Sequence, residues 1–367
     1  MAYGRMINAR IGGADFEGIY QFMVRFHFTE KDFVNFEKVK TIGGELYPES
    51  EFFKLDKLDF DYVLILSGDQ LYQMDFSKMI DAHRKSGAAL SIATIPVGDR
   101  EAPEFGILKS NDENIITSFI EKPNKEILPE WTSDTGDEMK AQGRNFLASM
   151  GIYVFNKDIL YKLLNEVHAN AKDFGKEIIP DSIEHYKVVS YQYDGYWTDI
   201  GNIYSFFEAN IALTDEVPPF NLFDSAKTIY TRSRMLPPAK ISGTQINQAL
   251  VAEGSIIHAT SITKSVIGIR SRIGKDTVIK NSYIMGCDYY ETIEQIHQKT
   301  LSGKPILGIG ERCIIEDAIV DKNCSIGNDV HIKGGAHLEK VDHPLYTIKD
   351  HIIVIKKGAI IPNGFKI

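Results

Sequence analysis

The sequence predicts an α/β domain with a mostly parallel sheet flanked by helices, followed by a parallel β-helix of hexapeptide repeats. Three observations carry this expectation. Val63–Leu66 is an apolar run without polar alternation, the pattern of a strand covered on both faces. From Asp61 to about Ala212, strand-like and helix-like patterns alternate, as in a layered α/β domain. Farther on, Ile267, Ile273 and Ile279 recur six apart, as do Ile314, Val320, Ile326 and Ile332, and again Ile355, Ile361 and Ile367. A parallel β-helix turns a corner after each hexapeptide and points one apolar residue per short strand inward, so stacked coils share one core.

Taken in order, residues 1–56 are rich in Phe but have no sustained period, and they read as an atypical segment. The α/β domain is expected over 57–215. Asp75 is placed to cap a helix running to Lys85, and Gly87 to end it before a strand at Ala88–Val97. Met150–Phe155 reads as a strand, Lys157–Val167 as a helix with Ile159, Leu160, Leu163 and Leu164 on one side, and Ser205–Leu213 as a further helix. The charged stretch Lys125–Arg144 reads as a surface excursion. Pro218–Pro219 and Pro237–Pro238 bracket a linker, 216–245, with the β-helix over 246–367. Gly286–Gly308 breaks the hexapeptide period and reads as an insertion projecting from the coil.

The chain has 367 residues, 43% hydrophobic and 25% charged, which suits a globular protein of two domains. Its net charge of −9 argues against nucleic acid as a partner, since phosphate neutralisation needs a concentrated basic face. No run reaches membrane-span length and the first residues lack a signal-peptide core, so no membrane partner and a cytoplasmic location are expected. Cys287, Cys313 and Cys324 form no Cys-x-x-Cys pair and read as buried, reduced thiols.

The apolar run from Val63 stops at Ser67–Gly68–Asp69, putting an acid at the carboxyl end of a buried strand, where open α/β sheets bind their ligands. Such a carboxylate suits a hard cation such as Mg²⁺. Asp199, in Tyr196–Trp197–Thr198–Asp199, is a second acid in a similar setting, and Lys122, after Phe119–Ile120–Glu121, offers a compact charge to a phosphate. Taken singly, Asp69 and Asp173 also fit as turn formers, Asp199 as a helix cap and Lys122 as a solvated charge.

In series, these segments closely resemble ADP-glucose pyrophosphorylase (glucose-1-phosphate adenylyltransferase) of the branch shared by bacteria and plants. The matching motifs are Ser67–Gly68–Asp69–Gln70–Leu71–Tyr72, Phe105–Gly106–Ile107–Leu108, Phe119–Ile120–Glu121–Lys122–Pro123, Ala148–Ser149–Met150–Gly151–Ile152–Tyr153, Asp173–Phe174–Gly175–Lys176–Glu177 and Trp197–Thr198–Asp199–Ile200–Gly201. The resemblance covers about Lys57 to Ile367, through Asp288–Tyr289–Tyr290–Glu291–Thr292. It implies a Rossmann-like nucleotidyltransferase domain and a left-handed coil. It further implies Mg²⁺ held by Asp69 and Asp199, the sugar phosphate at Lys122, and a glucose pocket lined by Glu121, Ser149 and Trp197 with Asp173, Phe174 and Gly175 beside it. ATP and glucose 1-phosphate are the implied substrates, in glycogen or starch synthesis. A homo- or heterotetramer is implied, in the cytoplasm or, in a plant, the plastid stroma. Arg232, Arg234, Lys322 and Lys356 match or lie near positions that take an anionic metabolite effector.

The chain departs from this pattern at its start. The resemblance calls for a Gly-rich loop followed by Thr-Arg-Leu, whose N–H groups cradle the triphosphate, yet the upstream Gly pairs are only Gly12–Gly13 and Gly43–Gly44. An incomplete catalytic subunit, a silent regulatory partner and a rebuilt nucleotide site all follow as readings. Retention of Asp69, Lys122 and Asp199 favours the first, with little ADP-glucose made by the chain alone. A hexapeptide acyltransferase is the reading from another class, with His258, His297 or His331 as its base.

Overall fold

The computed structural model of the chain describes the backbone of residues 21–25 and, in full, residues 60–168, 171, 173–225, 229 and 234–367. The reading of 1–56 as atypical therefore falls outside the described residues, save for one strand. The chain divides into two compact units, Met1–Trp197 and Thr198–Ile367.

The first unit is a mixed sheet. Its strands are β1 (Gln21–Arg25), β2 (Tyr62–Ser67), β4 (Leu90–Val97), β5 (Gly106–Ser110), β6 (Ile116–Glu121), β7 (Phe146–Asn156) and β8 (Val188–Gln192), while β3 (Gln70–Tyr72) lies outside the sheet. The order is β1-β2-β7-β4-β8, with β5 on β7 and β6 on β5. Here the expectation of a mostly parallel sheet is corrected: only β4 and β8 are parallel neighbours, and the other described pairings are antiparallel. The reason is β7, which enters reversed between β2 and β4. β2, β4 and β8 thus still point the same way, but β2 has no parallel neighbour. Unbroken apolar runs report burial of both faces, not the direction of the next strand.

Burial of both faces holds in detail. Val63, Ile65, Tyr153 and Phe155 point into one core with Leu160, Leu163, Ile178 and Ile179. Leu64, Leu66, Met150, Ile152 and Val154 point into the other, with Met79 and Ile80. The two-residue period of a strand sorts alternate side chains to opposite faces.

Helix α1 (Phe76–Ser86) supplies Met79 and Ile80. Asp75 caps it by accepting from the Ser77 N–H at 3.0 Å, and Gly87, at φ 62°, closes it. His83 on its inner side hydrogen-bonds Ser91 Oγ at 2.7 Å and Asn156 Oδ1 at 2.9 Å, tying α1 to β4 and β7. The surface excursion is confirmed, with Leu128 as its buried anchor and one short helix, α2 (Asp137–Ala141). The helix expected at Lys157–Val167 starts as α3 (Lys157–Lys162) and ends in a wider π-helical turn at Leu163–Val167. A second such turn, Phe174–Ile178, leads into α4 (Ile179–His185).

The second unit begins within strand β9 (Trp197–Asp199) and continues with helix α5 (Ile203–Ala212), capped by Asn202. Its Phe207 and Ile211 pack on Ile319 and Ile352 of the coil. The coil starts at Lys240, inside the stretch read as linker. Short strands such as Ile256–Ile257, Arg272–Ile273, Gly308–Ile309 and Ser325–Ile326 stack in one parallel sheet. Seven-residue strands Ser261–Ile267, Val278–Ile284 and Ile314–Val320 stack in another.

Each long strand bends at a left-handed residue, Lys264 (φ 46°), Asn281 (φ 42°) or Asp317 (φ 49°), and is followed by a small buried one, Ser265, Ser282 or Ala318. The hydroxyls there form a ladder, Ser265 Oγ accepting from the Ser282 N–H at 3.2 Å and Ser282 Oγ from the Ala318 N–H at 3.3 Å. Gly274 and Gly310 are needed for close approach: a Cβ on either would lie 2.5 Å from the carbonyl oxygen of the glycine one coil on. One inward residue is corrected. Ile315, fully buried and paired with Ile279, points into the core, while Ile314 is only half-buried. The local step to Val320 is therefore five residues, because the bend at Asp317 shortens it.

The expected insertion carries α6 (Ile293–Leu301), capped reciprocally by Thr292 and Gln295. Its stem is bolted to the coil. Tyr290 Oη donates to the Gly254 carbonyl at 2.9 Å beneath Arg270, and Glu291 accepts from the Leu307 N–H at 2.8 Å.

Candidate active site

At the carboxyl end of β2, Ser67 Oγ donates to Asp69 Oδ1 at 2.6 Å, which orients the carboxylate. Beside this corner, β7 carries Gly151 at φ 67°, where a Cβ would stand 3.3 Å from Gln70 Nε2 and 3.4 Å from Ser67 Cβ. The left-handed glycine thus lets β7 run close under the corner. Gln70 Oε1 accepts from the Trp197 indole N–H at 3.0 Å, and Trp197 meets Phe105 edge-on.

A second group lies at the end of β6. Lys122 takes φ 48°, unusual for a residue with a side chain, and its N–H donates to the Phe105 carbonyl at 3.1 Å, while its ammonium is exposed. Next to it, burial pushes the Glu121 carboxyl above the usual range; Asp173 adds to this, and Lys122 and Lys176 oppose it. Asp173 is held by accepting from the N–H groups of Gly175 at 2.9 Å and Lys176 at 3.2 Å. A Cβ on Gly175 would come 2.8 Å from Glu121 Oε2, so the bare backbone leaves that carboxylate its place. Phe174 stacks on Tyr153 with ring planes 13° apart. Burial pushes the Tyr153 hydroxyl up to about 12, against the pull of its hydrogen bond with Ser149 and with a further rise from Glu121 and Asp173.

The structure thus gathers Glu121, Ser149, Asp173, Phe174 and Gly175 into one wall, and holds Asp69 and Trp197 in one hydrogen-bonded corner. Tyr153 and Gln70 join them, although nothing in their own motifs singles them out. Glu121 and Asp173 near Tyr153, and Trp197 on Gln70, are contacts far off in sequence. Asp199 belongs to the second unit, where Oδ1 accepts from the Gly201 N–H at 2.9 Å, so it acts as a local turn former and not as the cap of α5.

The donor set fits Mg²⁺ in kind, since a hard cation at a phosphate-transfer site takes one or two carboxylates and leaves its other positions to phosphates and water. Among the described residues no cluster of three or more His, Cys, Asp or Glu is placed to ligate a metal.

In the coil, Lys322 pairs with Asp288 at 2.9 Å and Lys356 with Asp342 at 2.6 Å, while Arg234 is exposed and Arg232 falls outside the described residues. His258, His297 and His331 lie apart in the coil, with His297 exposed on α6. The three thiols are buried and free, and burial raises Cys287 to about 11 and Cys324 to about 12. Among the described residues no helix is long and apolar enough to cross a membrane.

Residues 48–216 match the family Nucleotidyl transferase, and residues 234–365 match the GLGC left-handed parallel beta-helix domain. The chain is therefore a nucleotidyltransferase domain followed by a left-handed parallel β-helix. That pairing is the architecture of the ADP-glucose pyrophosphorylases.

Proposed function

We propose that the chain is the catalytic framework of a glucose-1-phosphate adenylyltransferase, converting ATP and glucose 1-phosphate to ADP-glucose and diphosphate in glycogen or starch synthesis. One observation carries the reading: the oriented Asp69 corner and the Glu121–Asp173 wall both lie in a nucleotidyltransferase domain that precedes a GLGC-type coil.

In this reading Lys122, exposed at the end of β6, draws the phosphate of glucose 1-phosphate there. Glu121, Ser149 and Trp197 bind sugar hydroxyls and ring, and Gly175 keeps the wall open to them. Asp69 and Asp199 are the carboxylates that would hold Mg²⁺, and the chemistry it would supply when bound is neutralisation of phosphate charge. The sugar-phosphate oxygen attacks the α-phosphate in line, and the protein's share of the rate is positioning and electrostatics. The wider proposal is a homo- or heterotetramer of the cytoplasm or plastid stroma, controlled by an anionic metabolite at or near Arg232, Arg234, Lys322 and Lys356.

The absent Gly-rich loop supports a second reading, in which the chain is a regulatory partner of an active subunit. The test is release of diphosphate from ATP, glucose 1-phosphate and Mg²⁺ by the chain alone and mixed with an intact subunit. Adenylyltransfer that falls about 10³-fold in Asp69→Asn supports the catalytic framework, in line with loss of a transition-state charge partner. Activity in the mixture that ignores Asp69→Asn would sink it in favour of the partner reading.

A further inference from the structure

Gln70 is the residue after Asp69, and its side-chain oxygen is engaged. Oε1 accepts from the Trp197 indole at 3.0 Å, and Nε2 lies over Gly151 at the position where any side chain would crowd it. The segment that follows is held again one turn on, where Tyr193 Oη donates to the Gln73 carbonyl at 2.8 Å. Residues 70–73 and 193–197 are thereby clamped at both ends. The indole has a single donor and one acceptor to satisfy it, so its orientation in the half-buried corner depends on Gln70.

We propose that Gln70 is a positioning residue for the sugar end of the site. It fixes the plane of Trp197 and so couples the metal-side carboxylate next to it in sequence to the surface that meets the hexose of glucose 1-phosphate. The proposal rests on the adenylyltransferase reading for the identity of that hexose, but not for the lock itself. Phe105 also packs edge-on against the indole, its ring centroid 5.2 Å away, so an apolar contact to the ring survives loss of the amide. Gly151 belongs to the same device, because a Cβ there would stand 3.3 Å from Gln70 Nε2 and crowd the amide.

The chain contains only two tryptophans, so Trp131→Phe leaves Trp197 as the sole reporter. In that background, intrinsic fluorescence is measured for the parent, for Gln70→Leu, which keeps bulk and removes the acceptor, and for Gln70→Glu, which restores an acceptor. Glucose 1-phosphate is then titrated against each. The expected result is a shifted Trp197 emission and about tenfold weaker glucose 1-phosphate binding in Gln70→Leu, the worth of one hydrogen bond, with both recovered to within about twofold in Gln70→Glu. Parental emission in Gln70→Leu, or glucose 1-phosphate affinity unchanged by it, overturns the proposal. Rescue is the discriminating arm, since damage that is merely structural would not be repaired by a charged replacement. A parent chain that binds no glucose 1-phosphate overturns the adenylyltransferase reading and the sugar role with it, whereas an emission indifferent to Gln70 overturns the lock alone.

Discussion

Glu121 holds its proton more tightly than an ordinary glutamate, first because it is buried and then because Asp173 stands nearby. The folded chain therefore binds that proton better than the unfolded chain does. Its contribution to stability is present below the ordinary glutamate range and is lost as pH rises through the raised folded value. Glu121→Gln should raise the thermal midpoint at neutral pH by about 2 °C, with the gain vanishing near about pH 4, while sugar-phosphate binding weakens. Calorimetry across pH checks this, and a gain independent of pH would contradict it. At this scale the sequence was readable where a residue's role is local. Asp69, Asp173 and Lys122 each sit at the end of an apolar run or in a turn, so their position could be inferred from near neighbours. Tyr153 and Gln70 could not be found that way, because Glu121 and Trp197 reach them only in the folded chain.

Element boundaries were legible where end chemistry is explicit. Asp75 and Gly87 bracket α1 as their side-chain and backbone preferences require. The Asp75 carboxyl is held below its usual range chiefly by the Ser77 hydroxyl. The stability it lends is present above the ordinary aspartate range and lost as pH falls through the lowered value. Asp75→Ala should cost about 1 kcal/mol at pH 7 and nearly nothing near about pH 2, measured by denaturant unfolding. Periodicity was less complete as a guide in the coil. A strict six-residue count selects Ile314, but the bend at Asp317 moves the inward position to Ile315. Ile315→Ala should destabilise the coil by about 2–5 kcal/mol and Ile314→Ala by clearly less. Equal losses in urea unfolding would put the register in error. Strand direction in the first unit was not legible at all, since β2, β4 and β7 share the same apolar character whichever way they run.

For the molecule as a whole, composition and repeats sufficed to anticipate two architectures in one chain, and the domain families matched over 48–216 and 234–365 agree with that division of labour. The start of the chain resisted reading because it has neither helical nor strand period. Helix α5 has one apolar stripe, and its packing partners, Ile319 and Ile352, are not legible from that stripe, since helix-to-sheet and helix-to-coil packing use the same pattern.

The position of β7 also sets an order of events during synthesis. β2 and β4 leave the ribosome well before Phe146–Asn156, yet neither can gain its shared neighbour until that strand arrives. In the interval each presents a bare, strongly apolar edge, the kind of surface that recruits other nascent chains. Closing the sheet requires threading a late strand between two early ones, a long-range step that slows folding. Translation speed and chaperone supply over this window should therefore govern the yield of native protein more than any single contact in the finished site.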